Sequence, residues 1–183
     1  REAPRFSPLG VVRRGGMGVV EKALDTQLGR VVAIKRARAE VPGAEARLRR
    51  EARVLGALGH PGVIAVLDAG DHDSGFRLVM PWVDGPSLDE ADAGPHAILR
   101  VAEALAHAHA RGIVHRDVKP SNIRLHDGHA VLMDWGLAQL DGTDEPPLTR
   151  SGVGLGTPGY MAPEQALGSR IDARADVWAF GAV

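Results

Sequence analysis

Ile113-Val114-His115-Arg116-Asp117-Val118-Lys119-Pro120-Ser121-Asn122 sets a carboxylate, an ammonium and an amide at positions 117, 119 and 122. Phosphoryl transfer requires that combination: a base for the attacking hydroxyl, a positive charge for the moving phosphoryl group, and a neutral oxygen for Mg²⁺. Asp117, Lys119 and Asn122 supply these in order. A His-Arg-Asp tripeptide alone carries little weight, since short charged loops are usually just solvated. The whole string is far more specific.

Other segments extend the pattern in both directions. Val32-Ala33-Ile34-Lys35 is an alternating β-branched run that predicts a strand ending in lysine. Between Ala44 and Leu58, residues Leu48, Ala52, Leu55 and Leu58 recur at helical spacing, so Glu51 borders a core-facing stripe. Val131-Leu132-Met133 predicts a buried strand that delivers Asp134 at its end, followed by Trp135-Gly136. Gly15-Gly16-Met17-Gly18-Val19-Val20 lies near the start, and Gly156-Thr157-Pro158-Gly159-Tyr160 followed by Met161-Ala162-Pro163-Glu164-Gln165 near the end.

Taken in this order, the motifs resemble those of the protein kinases, with the bacterial serine/threonine kinases as the nearest subgroup. The resemblance covers essentially the whole chain. It implies an α+β fold of two lobes, strand-rich over 1–83 and helical from 84 to 183, with a hinge near 80–86. It implies ATP and Mg²⁺ as cofactors and proteins bearing Ser/Thr hydroxyls as substrates. Asp117 would be the base, Lys119 the phosphoryl contact, Lys35 the phosphate-holding lysine paired with Glu51, and Asn122 and Asp134 the metal ligands. Val12, Gly15, Gly16, Gly18, Val20, Ala33, Met80, Pro81 and Val83 would surround the nucleotide. Pro81 has no N–H but keeps its carbonyl for the adenine, and Gly15 and Gly18 are expected to combine close phosphate approach with positive φ. Thr149 and Ser151 are the phosphorylation candidates, with Arg116 as the grip for the added phosphate. Thr157 would shape the substrate loop and bond Asp117. His115 would pack beneath Trp135, in a stack that continues to Leu55 and Val66.

Several positions depart from the family pattern. Trp135 stands where Phe is usual, and Arg13 replaces the first loop glycine. Arg124 occupies a position normally apolar, where it either stacks under the base or is solvated. Asp89 to Gly94 is short enough to predict a trimmed helix. The chain ends at Val183, inside a helix that begins at Asp176, short of the roughly 250 residues of a full domain. The later large-lobe helices are therefore expected to be missing, with Glu164 lacking its usual arginine and apolar surface left uncovered. By resemblance, Asp176 anchors the catalytic loop. A second reading, a nucleotide-binding scaffold without turnover, rests on these departures. A small-molecule kinase is a third, and Ala162-Pro163-Glu164 argues against it.

Pro95 to Arg111 predicts a helix with proline in its first turn and Gly112 as its stop. His107 and His109 on that helix point to different faces and form no metal site. The 22 basic and 23 acidic residues nearly cancel, which implies no nucleic-acid partner. No cysteine is present, excluding disulfides and fitting a cytoplasmic location. No apolar run reaches the roughly 18 residues that span a bilayer.

Overall fold

The computed structural model describes residues 4–15, 18–72, 75–91, 94–140 and 158–183. The first lobe is an antiparallel sheet of β1 (Phe6–Arg14), β2 (Gly18–Asp25), β3 (Arg30–Ala37), β4 (Asp68–His72) and β5 (Gly75–Pro81), in the order β1-β2-β3-β5-β4. Period-two alternation sorts β3 between two faces. Val32 and Ile34 are buried with Ala23 and Val79, while Ala33 and Lys35 line a cleft on the opposite side. α1 (Ala44–Ala57) buries Leu48 and Leu55, and Arg47 and Glu51 are buried with them. The predicted stripe is therefore real, and the helix stops with Leu58 as its C-cap.

The second lobe begins with α2 (Pro95–His109), which has proline in its first turn. The predicted end at Arg111 is two residues late, because the chain tightens there into i→i+3 bonds. Arg111 N–H donates to Ala108 at 2.9 Å and Gly112 N–H to His109 at 2.9 Å, and Gly112 takes a φ of 68°. β6 (Ile113–Val114) pairs with β9 (Gln139–Leu140), bringing the 113–122 string beside the residues after Asp134. β7 (Ile123–His126) and β8 (His129–Leu132) form a hairpin. Its turn residues Asp127 and Gly128 both have positive φ, 48° and 75°, as tight twisted hairpins require. α3 (Pro163–Ala166) and α4 (Arg174–Gly181) follow. Val177 and Trp178 on α4 and Leu167 after α3 are exposed.

One continuous apolar core joins the lobes, from Leu48, Leu55 and Met80 through Val101, Ile123 and Leu132 to Trp135 and Ala179. The linker after β5 is zipped onto β7. Leu125 N–H donates to Pro86 at 2.8 Å and Leu88 N–H to Ile123 at 3.0 Å. A Cβ at Gly85 would sit 1.4 Å from the Leu125 carbonyl oxygen, so only glycine fits that approach. The described residues between Pro81 and Pro95 contain a turn and no helix, with Ser87 N–H and Oγ both bonded to Glu90.

A second junction connects the loop after α1 to α2. Gly62 lies so close that a Cβ would be 2.9 Å from the Arg100 carbonyl oxygen. His60 Nδ1 accepts the Gly62 N–H at 3.0 Å, and its ring lies 4.9 Å from that of His107. Burial first, then the His107, Arg100 and Arg111 charges against Glu103, lowers the His60 pKa below the ordinary 6.5. Below that value the unfolded chain binds a proton that the folded chain refuses, so stability falls with acidity. The urea midpoint is expected to drop as pH goes from about 7.5 to about 5.5. His60→Asn, which keeps an acceptor for Gly62, should make that decline shallower; an identical pH profile would refute this.

Candidate active site

A cleft of about 400 Å³ opens between the lobes, lined by Gly15, Gly18, Val20 and Ala33 above, Met80, Pro81 and Val83 behind, and Asn122, Arg124 and Asp134 below. Gly16, Thr149, Ser151 and Thr157 fall outside the described residues. Val12 is not among the cleft's lining residues; it lies on β1 opposite Glu21, about half exposed.

At the inner end, Lys35 Nζ donates to both Glu51 oxygens at 2.8 Å and to Asp134 Oδ1 at 2.9 Å. β3 and α1 bring the first pair together from opposite sides, and Glu51 is only 3% exposed. Burial alone would lower the Lys35 pKa, but the Glu51 and Asp134 carboxylates outweigh it and hold the ammonium charged. Burial likewise pushes Asp134 up, yet Lys35, with weaker help from His115 and Lys119, brings it below the usual carboxylate range. Asp134 has a φ of 54°, a left-handed backbone uncommon outside glycine. The adjoining Trp135 pins it. Its ring is fully buried, its indole N–H donates to the Leu132 carbonyl at 3.3 Å, and His115 meets it edge-on with ring centroids 4.5 Å apart.

His115 also ties the two halves of the site together. Its Nδ1 accepts the Asp117 N–H at 3.2 Å, which assigns the proton to Nε2, 2.9 Å from the Met133 carbonyl. Lys119 Nζ lies 2.9 Å from Asp117 Oδ2, and Asn122 Nδ2 donates to the same oxygen at 2.9 Å and to the Asp117 carbonyl at 2.8 Å. None of these bonds uses Asp117 Oδ1 or Asn122 Oδ1. The first is placed to accept a proton, and the second is the kind of oxygen a hard cation takes. Together with the carboxylate of Asp134, the donor set fits Mg²⁺.

Asp176, on α4 and fully buried, accepts from His115 N–H at 2.8 Å, from Arg116 N–H at 2.7 Å and from His109 Nε2 at 2.8 Å. His107 and His109 thus face different partners. Arg116 Nη1 bonds the Gln139 side chain. Gln165 reaches the Arg116 carbonyl at 2.8 Å. Gln165 closes the Met161-Ala162-Pro163-Glu164-Gln165 motif but was given no role there, and Gln139 lies in no motif, because a neutral amide carries no charge pattern and its burial is set by tertiary packing.

The departures at the cleft mouth have physical explanations. Arg13 holds its guanidinium 5.1 Å from the Trp82 ring centre, and Lys22 lies 4.8 Å from the same ring. Its φ is not positive, so an arginine there is unstrained. Arg124 lines the cleft and donates to the Gly85 carbonyl at 2.6 Å, so its head is fixed at the linker. The expectation of positive φ at Gly15 and Gly18 is incorrect: neither has it. Gly18 is required for a different reason. A Cβ there would come within 2.8 Å of the Arg36 carbonyl oxygen on the neighbouring β3.

Residues 6–183 match the protein kinase domain family. The chain is 43% identical over 195 residues to the DNA damage-responsive serine/threonine-protein kinase RqkA of Deinococcus radiodurans, covering 99% of this chain and 29% of that protein. It is 39% identical to the probable serine/threonine-protein kinase SCO3848 of Streptomyces coelicolor, with 93% and 28% covered. Against serine/threonine-protein kinase pkn2 of Myxococcus xanthus the identity is 39%, with 97% and 23% covered. This chain belongs to the protein kinase family, and its fold is the two-lobe α+β fold of that family. It spans less than a third of the length of these relatives.

Proposed function

We propose that the chain is the ATP- and Mg²⁺-dependent catalytic region of a serine/threonine protein kinase, with 1–83 and 84–183 as its two lobes. The observation that carries this reading is the Lys35–Glu51–Asp134 cluster, set in the same cleft as Asn122. Lys35 would hold the α- and β-phosphates, kept in place by Glu51. Asn122 and Asp134 would hold Mg²⁺, which offsets charge on the phosphates. Asp117 accepts the proton of a Ser or Thr hydroxyl as that oxygen bonds the γ-phosphorus and the bond to ADP breaks. Lys119 neutralises the phosphoryl oxygens during transfer. Gly15, Gly16, Gly18, Val20, Ala33, Met80, Pro81 and Val83 enclose the nucleotide. Thr157 serves the substrate loop, and Thr149 and Ser151 are self-phosphorylation sites.

The substrates are proteins, and the setting proposed is the cytoplasm. Among the described residues no helix is long and apolar enough to cross a membrane. The second reading, a nucleotide-binding scaffold, rests on Arg13 in place of the first loop glycine and on the short segment after Pro86.

Intact mass after incubation with Mg-ATP separates the two readings. Phosphate units gained by the parent and not by Asp117→Asn are the expected result. ATP binding without any gain in mass would favour the scaffold.

A further inference from the structure

We infer that Gln165 is a positioning residue for Asp117, tying the start of α3 to the catalytic loop through the Arg116 carbonyl. The inference rests on the reading of Asp117 as the base. Gln165 is buried, 8% exposed. Its Nε2 donates to the Arg116 carbonyl at 2.8 Å, and its Oε1 accepts the Ala162 N–H at 3.1 Å. A neutral amide of this length gives and takes in those two directions at once, which an ionised carboxylate cannot do.

The bond falls on a sensitive peptide unit. Arg116 has a φ of 69°, a left-handed conformation costly for arginine and kept only where neighbours impose it. Asp176 holds the Arg116 N–H at 2.7 Å, and Gln139 holds its guanidinium. The peptide plane between Arg116 and Asp117 is gripped on both edges, its carbonyl by Gln165 and its N–H by His115 Nδ1 at 3.2 Å. The tilt of that plane sets where the Asp117 side chain points. Gln165 also borders a narrow crevice with Asp117, Tyr160 and Met161, and it does not line the nucleotide cleft. Its loss should therefore reduce turnover and leave nucleotide binding alone.

Two substitutions test this. Gln165→Met keeps length and bulk without either hydrogen bond. Gln165→Glu keeps the acceptor and regains a donor only when its carboxyl is protonated. Each is expected to lower the rate of phosphate incorporation about 10- to 100-fold near pH 8, the scale of a ~1 Å misplacement of a reacting group, with Kd for Mg-ATP within about twofold of the parent.

As pH falls, the variant-to-parent rate ratio should rise for Gln165→Glu and stay flat for Gln165→Met, which a general loss of stability would not produce. Amide exchange at Arg116 and Asp117 should quicken in both variants while β3 amides keep the parent's rates. Parent-like turnover in Gln165→Met with unchanged exchange at Asp117 would overturn the inference. A parent that transfers no phosphate would refute the proposed function instead. The exchange data then decide the tie alone, with unchanged protection at Asp117 overturning it. Should the methionine variant fail to fold, the glutamate variant decides alone: a rate ratio that rises towards acid pH supports the tie, and a flat one overturns it.

Discussion

Lys35→Met should cost the chain about 3–5 kcal/mol of unfolding free energy, the usual result of removing one partner from a buried ion pair. It should also abolish tight Mg-ATP binding. Lys35 donates three bonds, two to Glu51 and one to Asp134. Methionine fills a similar volume and makes none of them, so the nearly inaccessible Glu51 is left without its counter-charge. Burial raises the Glu51 pKa, and the ammonium that opposes this rise is gone in the variant. A folded carboxyl with a raised pKa binds more protons than the unfolded one, so its cost grows as pH rises through that pKa. The deficit against the parent should accordingly shrink towards acid pH. Lys35→Met combined with Glu51→Leu replaces the pair by apolar groups and is expected to recover most of the lost stability without recovering nucleotide binding. Urea unfolding at several pH values, with Mg-ATP titrations of the same samples, checks both arms. An unfolding midpoint for Lys35→Met equal to the parent's would mean that the pair contributes nothing to the fold.

Lys35 and Glu51 are already marked in the sequence, where local pattern and chemistry coincide. The alternation of Val32-Ala33-Ile34-Lys35 fixes the strand and the 3.6-residue period fixes the face of α1, while the pairing of Lys35 with Glu51 came from the resemblance to the protein kinases. The start of α2 was legible for a similar local reason, the proline in its first turn, whereas its end was placed two residues late because the closing i→i+3 bonds leave no mark in the sequence.

Arg13 and Arg124 were ambiguous because a guanidinium's environment depends on distant segments. Trp82 and the Gly85 carbonyl, each tens of residues away in sequence, settle where the two side chains lie. At Gly18 the expected positive φ is absent, and the close approach to β3 that also demands glycine there is a property of sheet pairing, invisible to a turn motif. The left-handed backbones of Arg116 and Asp134 were not legible at all, because their cause is a set of bonds made by His115, Asp176, Gln165 and Trp135 after folding.

Asp176 carries the second large effect. Its carboxylate is fully buried and receives three donors, the His109 ring and the N–H groups of His115 and Arg116. Asp176→Ala would strand the buried His115 N–H and leave the partly buried Arg116 N–H and His109 imidazole without their acceptor, and a loss of about 3–5 kcal/mol is expected. Domains of this kind hold only about 5–15 kcal/mol in total. Asp176→Asn separates the contributions. One amide oxygen can replace one carboxylate oxygen, but the NH₂ group must face a donor, so one edge of the arrangement fails and the expected cost is about 1–3 kcal/mol. If the NH₂ group turns towards Arg116, the left-handed residue beside Asp117 loses a restraint while the rest of the lobe stays folded. Phosphate incorporation should then fall further than the small stability loss accounts for, at concentrations where the variant is wholly native by urea titration. Equal midpoints for Asp176→Ala and the parent would refute the anchoring role. A native Asp176→Asn with the parent's rate would instead show that the carboxylate serves the fold of α4 and the loop without setting the direction of Asp117.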